Sequence, residues 1–289
     1  MTASLPARHR PAAPAQVEWC AFGEGRPTTV VAHGLGESIA TTRPFASGVP
    51  GRKVFFHFRG HGASVAPPGP WTYLDLADDL MSVVGRCGAD RVLGVSMGAG
   101  AVCAALARDP SCFARAVLML PAVLDRARDE TLVRRSTDFA ELLESGDPDR
   151  VAAALVTEHA GSGAVPGERH RWAEAQARWL LDSTGVVRAL RELPCRTAVA
   201  DRAELSSVRV PVLVVAQEDD PVHPVSVAGE LAEILPGAHL EVFPPGGLLW
   251  AHRVKLRAVV GEFLGDNPQV VGPQGSGRTP ERTARDQPG

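Results

Sequence analysis

The sequence predicts an α/β protein: a doubly wound, mostly parallel sheet with an inserted helical cap. Three observations predict it. Short apolar runs of strand type alternate with amphipathic helical segments on both sides of a stretch, 122–202, in which strand-like runs vanish. One of these runs, 92–95, passes through Gly94-Val95-Ser96-Met97-Gly98 straight into a helix of small residues. His33-Gly34, Ser96, Asp219, Asp220 and His252 all follow strands, at the carboxyl edge where a parallel sheet collects its functional groups.

The elements follow in order. Residues 1–15 are rich in Pro, Ala and Arg and read as a loose tail. Alternation over 17–22 suits an edge strand, and the β-branched run 28–32 suits a central one. A strand at 54–58 is followed by a helix near 74–87, where Leu74, Leu76, Leu80, Met81, Val83 and Val84 spread over two faces. The strand at 92–95, the helix after Ser96 and a buried strand at 116–120 complete the first half. Helical segments near 127–145, 147–160, 168–182 and 185–192 form the cap, and Trp172, Ala175 and Trp179 share one stripe expected to pack onto the core. Strands resume at 210–216 and 239–243, each followed by a helix, near 224–236 and 250–265. The organisation is thus a core of 16–121 and 203–265, a cap of 122–202, and tails at 1–15 and 266–289, the latter expected to be disordered.

Composition narrows the function classes. Hydrophobic residues make up 45% and charged residues 22%, which is globular usage. Net charge is −3 with the signs intermixed, so there is no nucleic-acid footprint. Only Lys53 and Lys255 are lysines among 30 cationic residues, a bias read as bacterial coding usage. The five cysteines are scattered without CxxC spacing, which argues against a disulfide framework or a zinc site; Cys103 reads as a small buried residue. No apolar h-region follows Arg8 and Arg10, and no run reaches the roughly 20 apolar residues of a membrane span. A cytoplasmic protein, monomer or homodimer, without a metal site is the expectation.

The strand-to-helix turn at Ser96 is sharp enough to need small neighbours, which Gly94 and Gly98 supply. It pushes the hydroxyl outward, with a helix N-terminus behind it to favour developing negative charge. Gly94, Gly98 and Gly100 also spell the GxxxGxG of a dehydrogenase cofactor loop. That reading fails, because the single tyrosine, Tyr73, has Ala77 rather than a lysine four residues on. A serine needs a general base within hydrogen-bond reach and a carboxylate to orient that base.

With Ser96 in G-x-S-x-G, His33-Gly34-Leu35-Gly36 after the second strand and Arg59-Gly60-His61-Gly62-Ala63-Ser64 after the third, the chain resembles the α/β-hydrolase superfamily over about 15–265. The resemblance implies an α/β-hydrolase fold with a cap after the sixth strand of that fold. It implies an oxyanion hole from the backbone N–H groups of Leu35 and Met97, and an acid four residues before a proline. That spacing selects Asp220 in Glu218-Asp219-Asp220-Pro221-Val222-His223-Pro224, with Asp219 as the alternative.

The base departs from the pattern. The usual histidine position after Pro244-Pro245-Gly246-Gly247 holds Leu248. His252, one helical turn on, is the favoured base, with His223 the runner-up and a chain without a working triad the remaining alternative. His33, Trp71, His223 and Trp250 are the candidate substrate contacts; His33 and His61 also read as turn histidines that organise loops, and His57 as a satisfied strand residue. His159 and His170 read as solvated cap residues.

The resemblance implies a serine hydrolase acting on an ester, lactone or thioester of a moderately apolar small molecule through an acyl-enzyme. A lyase, cyclase or acyltransferase on the same fold, or a non-catalytic binding protein, are the other classes left open.

Overall fold

The computed structural model describes residues 16–158, 165–183 and 185–265. The expected tails at 1–15 and 266–289, and His159, lie outside the described residues.

The strands are β1 (Trp19–Phe22), β2 (Thr28–Ala32), β3 (Arg52–Phe56), β4 (Arg91–Val95), β5 (Arg115–Met119), β6 (Val212–Gln217) and β7 (Ala238–Phe243). They form a seven-stranded sheet in the order β1-β3-β2-β4-β5-β6-β7. β1 runs antiparallel to β3, and every other pairing is parallel. The fold is the α/β-hydrolase fold the motifs implied.

The two-residue period of the strands feeds two cores. Val30, Val92, Val212 and Val214 point to one face, where helices α2 (Tyr73–Cys87), α3 (Met97–Arg108) and α8 (Val225–Ile234) pack. Val31, Leu93, Val95, Leu213 and Val215 point to the other, covered by α9 (Arg253–Leu264). Because central strands are apolar on both faces, they read as unbroken runs, which is why they were legible.

Helix α2 starts with a capping box, Thr72 accepting from the Asp75 N–H while Asp75 accepts from that of Thr72, and it ends at Gly88 with φ +62°. Its buried face carries Asp75 and Asp79, which hold the fully buried Arg59: Nε and Nη2 reach the two Asp79 oxygens at 2.8 Å each, and Nη1 lies 3.1 Å from Asp75 Oδ1. This charge cluster pins the Arg59–Ser64 turn to the helix.

Among the described residues, four α-helices lie between β5 and β6: α4 (Glu130–Glu144), α5 (Pro148–Glu158), α6 (Pro166–Asp182) and α7 (Val186–Glu192). They share an apolar cluster of their own, including Leu143, Leu155, Ala177, Leu180 and Val186, against which Leu35 also packs. The insertion follows the fifth strand of this chain. In α6 the buried stripe is Ala173, Gln176, Ala177 and Leu180, while Trp172 and Trp179 are half-buried flanks and Ala175 is exposed. The expected stripe through Ala175 is off by about one position.

These helices are fastened to the sheet's carboxyl edge. Gln176 Nε2 donates to Gly36 O at 2.6 Å, and Gly185 N–H donates to Gly60 O at 3.1 Å. Glu192 accepts from Trp71 N–H at 2.8 Å and pairs with Arg188, whose guanidinium sits 4.5 Å above the Trp71 ring.

Boundaries moved where chain chemistry rather than periodicity decided. The third strand stops at Phe56, so His57 and Phe58 belong to the loop. The short helix α1 (Ile39–Thr42), capped by Ser38, had no periodic signal. The expected helix from 250 is split into a π-helical turn, Gly247–Ala251, and α9.

Candidate active site

Ser96 sits between β4 and α3 with φ +51° and ψ −108°, a positive-φ conformation that residues with a side chain rarely adopt. Close packing enforces the turn. A Cβ on Gly94 would lie 2.5 Å from the Gly98 carbonyl oxygen, and one on Gly98 would overlap the carbonyl oxygen of Ala32. Only hydrogen fits at either place, so β4, β2 and α3 converge at the serine and present its hydroxyl at the sheet edge.

What the hydroxyl meets is His223. Ser96 Oγ lies 2.9 Å from His223 Nε2, and His223 Nδ1 lies 2.8 Å from Asp220 Oδ2. The acid and the imidazole come from one loop after β6. Asp220 Oδ1 accepts from the N–H groups of Val222 (3.0 Å) and His223 (3.1 Å), an Asx-type turn that folds the loop back so that Oδ2 reaches the ring. Burial works against the charge on Asp220, but hydrogen bonds and attraction from His223, with the two backbone N–H groups, hold its carboxyl below the usual carboxylate range.

His252 is therefore not placed as expected. Its Nε2 is committed to the Pro245 carbonyl oxygen at 3.0 Å, and its ring packs on Phe243 with centroids 5.7 Å apart. Leu248, in the usual histidine position, is 3% exposed and fills the core beside Phe243. After β7 it is Leu248 that turns inward, and the imidazole that meets Ser96 comes from the loop after β6. The signal was present in the sequence as the three-residue spacing of Asp220 and His223, which is short enough for a single turn to bring their side chains together.

The other named residues sort by burial. Asp219 has φ +56° and serves the turn. Trp71 is 1% exposed, donates Nε1–H to Pro67 O at 3.0 Å and anchors α7; it is an interior latch and offers no face to a ligand. His33 is likewise enclosed: its Nδ1 donates to Gly34 O (2.7 Å) and its Nε2 accepts from Phe58 N–H (2.9 Å). Trp250 lies in the π-helical turn beside the vacated histidine position. Glu18, unremarked in the sequence, ties β1 to the Arg59–Ser64 turn.

The Leu35 peptide is oriented by its neighbours. Gly34 O accepts from His33 and, at 3.1 Å, from Glu37 N–H. In a trans peptide the N–H of Leu35 must point the opposite way. Gly34 itself lies against the nucleophile turn, since a Cβ there would be 3.5 Å from Ser96 Cβ. Met97 opens α3 immediately after Ser96.

Among the described residues no group of three or more His, Cys, Asp or Glu could hold a metal ion, and no helix is long and apolar enough to cross a membrane. Cys103, one turn beyond Gly100, is buried, and desolvation pushes its thiol up to about 12.

The comparisons agree with this fold. The family model for the alpha/beta hydrolase fold matches residues 27–248. The chain belongs to the α/β-hydrolase family. No curated protein matches it in sequence. Among solved structures, this α/β-hydrolase is similar to an esterase from Exiguobacterium antarcticum, at 19% identity over 86% of this chain and 96% of that one, TM-score 0.71. It is similar to a meta-cleavage product hydrolase from Pseudomonas fluorescens, at 18% identity over 87% and 95%, TM-score 0.71. It is also similar to an enol-lactonase from Burkholderia xenovorans, at 21% identity over 86% and 96%, TM-score 0.68.

Proposed function

We propose that this α/β-hydrolase is a serine hydrolase that cleaves an ester, lactone or thioester of a moderately apolar small molecule through an acyl-enzyme. The observation that carries the reading is the unbroken chain Ser96 Oγ to His223 Nε2 to His223 Nδ1 to Asp220 Oδ2, with both contacts under 3 Å.

Ser96 attacks the carbonyl carbon and its proton passes to His223 Nε2; the leaving alcohol or thiol departs with that proton. Water then gives a proton to His223 as it attacks the acyl carbon, and Ser96 is released with the acid product. Asp220 fixes the Nδ1–H tautomer, which leaves Nε2 free to accept. Leu35 and Met97 N–H stabilise the oxyanion, a contribution of about 3–4 kcal/mol per donor in enzymes of this type.

The segment 122–202 serves as a cap over the core of 16–121 and 203–265, and its fastening to Gly36 and Gly60 supports that role. Five free thiols fit a reducing cytoplasmic setting.

A fluorophosphonate tests the reading. Intact mass and peptide mapping should find one adduct, on Ser96, and none in Ser96→Ala. No adduct, or one that survives that substitution, overturns it.

A further inference from the structure

We propose that His57, held in one tautomer by Glu18, is a positioning residue for the oxyanion loop. The proposal rests on the assignment of Leu35 N–H to the oxyanion hole.

His57 follows β3 and is 5% exposed. Its ring spans two partners: Nδ1 donates to Glu18 Oε2 at 2.8 Å, and Nε2 accepts from the backbone N–H of Ile39 at 3.0 Å. Ile39 is the first residue of α1 and closes the loop that begins at His33. An imidazole can accept at Nε2 only while the proton sits on Nδ1, and the carboxylate beside Nδ1 keeps it there.

Glu18 is itself fixed from several directions. Its Oε2 also accepts from Ala63 N–H at 2.9 Å. Its backbone N–H donates to Ser64 Oγ at 2.9 Å, and Ser64 Oγ–H donates to His57 O at 2.6 Å. His57 N–H donates to Glu18 O at 2.9 Å. Ala63 N–H and the His57 ring hold the Glu18 carboxyl below its usual range. Gly62, with φ +52°, leaves the space this pair needs, because a Cβ there would overlap His57 Nδ1.

The loop from His33 to Ile39 thus hangs on imidazoles along its length. His33 holds the Gly34 carbonyl, His61 Nε2 accepts from Gly36 N–H at 3.1 Å, and His57 holds the far end. His57 joins this loop to Glu18, which leads into β1, and to the inserted helices through Trp179, whose ring centroid lies 5.5 Å away. Removing the Ile39 acceptor takes away the tie that His57 makes at the far end of the loop, and the Leu35 N–H would lose its fixed aim. Aim matters because an oxyanion donor acts only at the position where charge develops.

Amide hydrogen exchange over 33–42 and hydrolysis of a short-chain p-nitrophenyl ester are measured together for wild type, His57→Phe, His57→Gln and Glu18→Ala. In His57→Phe, exchange of this segment should quicken, and kcat should fall, each by on the order of tenfold, with KM nearly unchanged. His57→Gln, which keeps one donor and one acceptor, should recover part of both. Glu18→Ala should move both in the same direction as His57→Phe, and it decides the matter if the phenylalanine variant does not fold. Unchanged exchange overturns the proposal, whatever kcat does. Quickened exchange with unchanged kcat also overturns it, since the loop would then be held without consequence for the reaction. If wild type neither hydrolyses the ester nor labels at Ser96, the hydrolase reading fails, and the role of His57 in positioning the oxyanion fails with it. The exchange then shows only whether His57 holds the loop.

Discussion

At the scale of single residues, the decisive feature is how much a short loop can do when one carboxylate has two oxygens. Asp220 uses Oδ1 to fold its own backbone and Oδ2 to hold the His223 ring. Neither task can be passed to Asp219, whose backbone is left-handed and serves the turn. Asp220→Asn should therefore lower kcat by roughly 10³–10⁴, through loss of the required tautomer. Asp219→Gly should leave kcat within about twofold, because glycine adopts positive φ without strain. Steady-state kinetics on one chromogenic ester separates the two. The choice of Asp220 over Asp219 was legible from its distance to Pro224. The choice of His223 was not, because sequence position after the last strand favoured His252, while the ring's real environment depends on a turn that no periodicity reports.

At the scale of elements, the turn between β4 and α3 is over-determined by contact. Gly98→Ala should destabilise the protein by about 1–3 kcal/mol or more and cut labelling at Ser96, since the new methyl meets the Ala32 carbonyl rather than a flexible side chain. Thermal unfolding and adduct formation check this together. The fastening of the inserted helices is a softer element. Glu192→Ala removes the acceptor of Trp71 N–H and the partner of Arg188, so exchange at the α7 amides should quicken while the sheet's does not. The strands and the turn were readable because apolar runs and paired glycines carry local information. Helix α1 was not, because four residues are too short to show a period; nor were the latch at Trp71, whose N–H partner Glu192 is 121 residues away, and the π-helical turn, whose Leu248 packs with Phe243.

At the scale of the whole molecule, buried neutral histidines link stability to pH. Burial, with repulsion from neighbouring imidazoles, holds His33 well below its usual value and brings His61 down to about 4. The unfolded chain takes up these protons near pH 6.5, before the folded chain does. Their contribution is therefore complete above pH 6.5 and is lost as pH falls toward 4, by up to about 1.4 kcal/mol per pH unit for each histidine. Carboxylates held low, Asp220 and Asp125 (about 2, chiefly through its hydrogen bond with Arg202), lose theirs only below about pH 4, so the two windows separate. Tm measured from pH 8 to 4.5 should decline below 6.5, and the decline should be shallower in His61→Gln, which keeps an acceptor for Gly36 N–H. A flat Tm over that range would contradict the neutral cluster. The molecule as a whole also brings Asp220 and His223 to Ser96 from one loop and gives the position after β7 to the buried Leu248, so the proposed triad can be tested in a single comparison. kcat/KM for a short-chain p-nitrophenyl ester is measured for His223→Ala and His252→Ala beside wild type. His223→Ala should lose roughly 10³-fold or more while His252→Ala stays within about twofold; the reverse pattern, or equal activity in both, would contradict the triad of Ser96, His223 and Asp220.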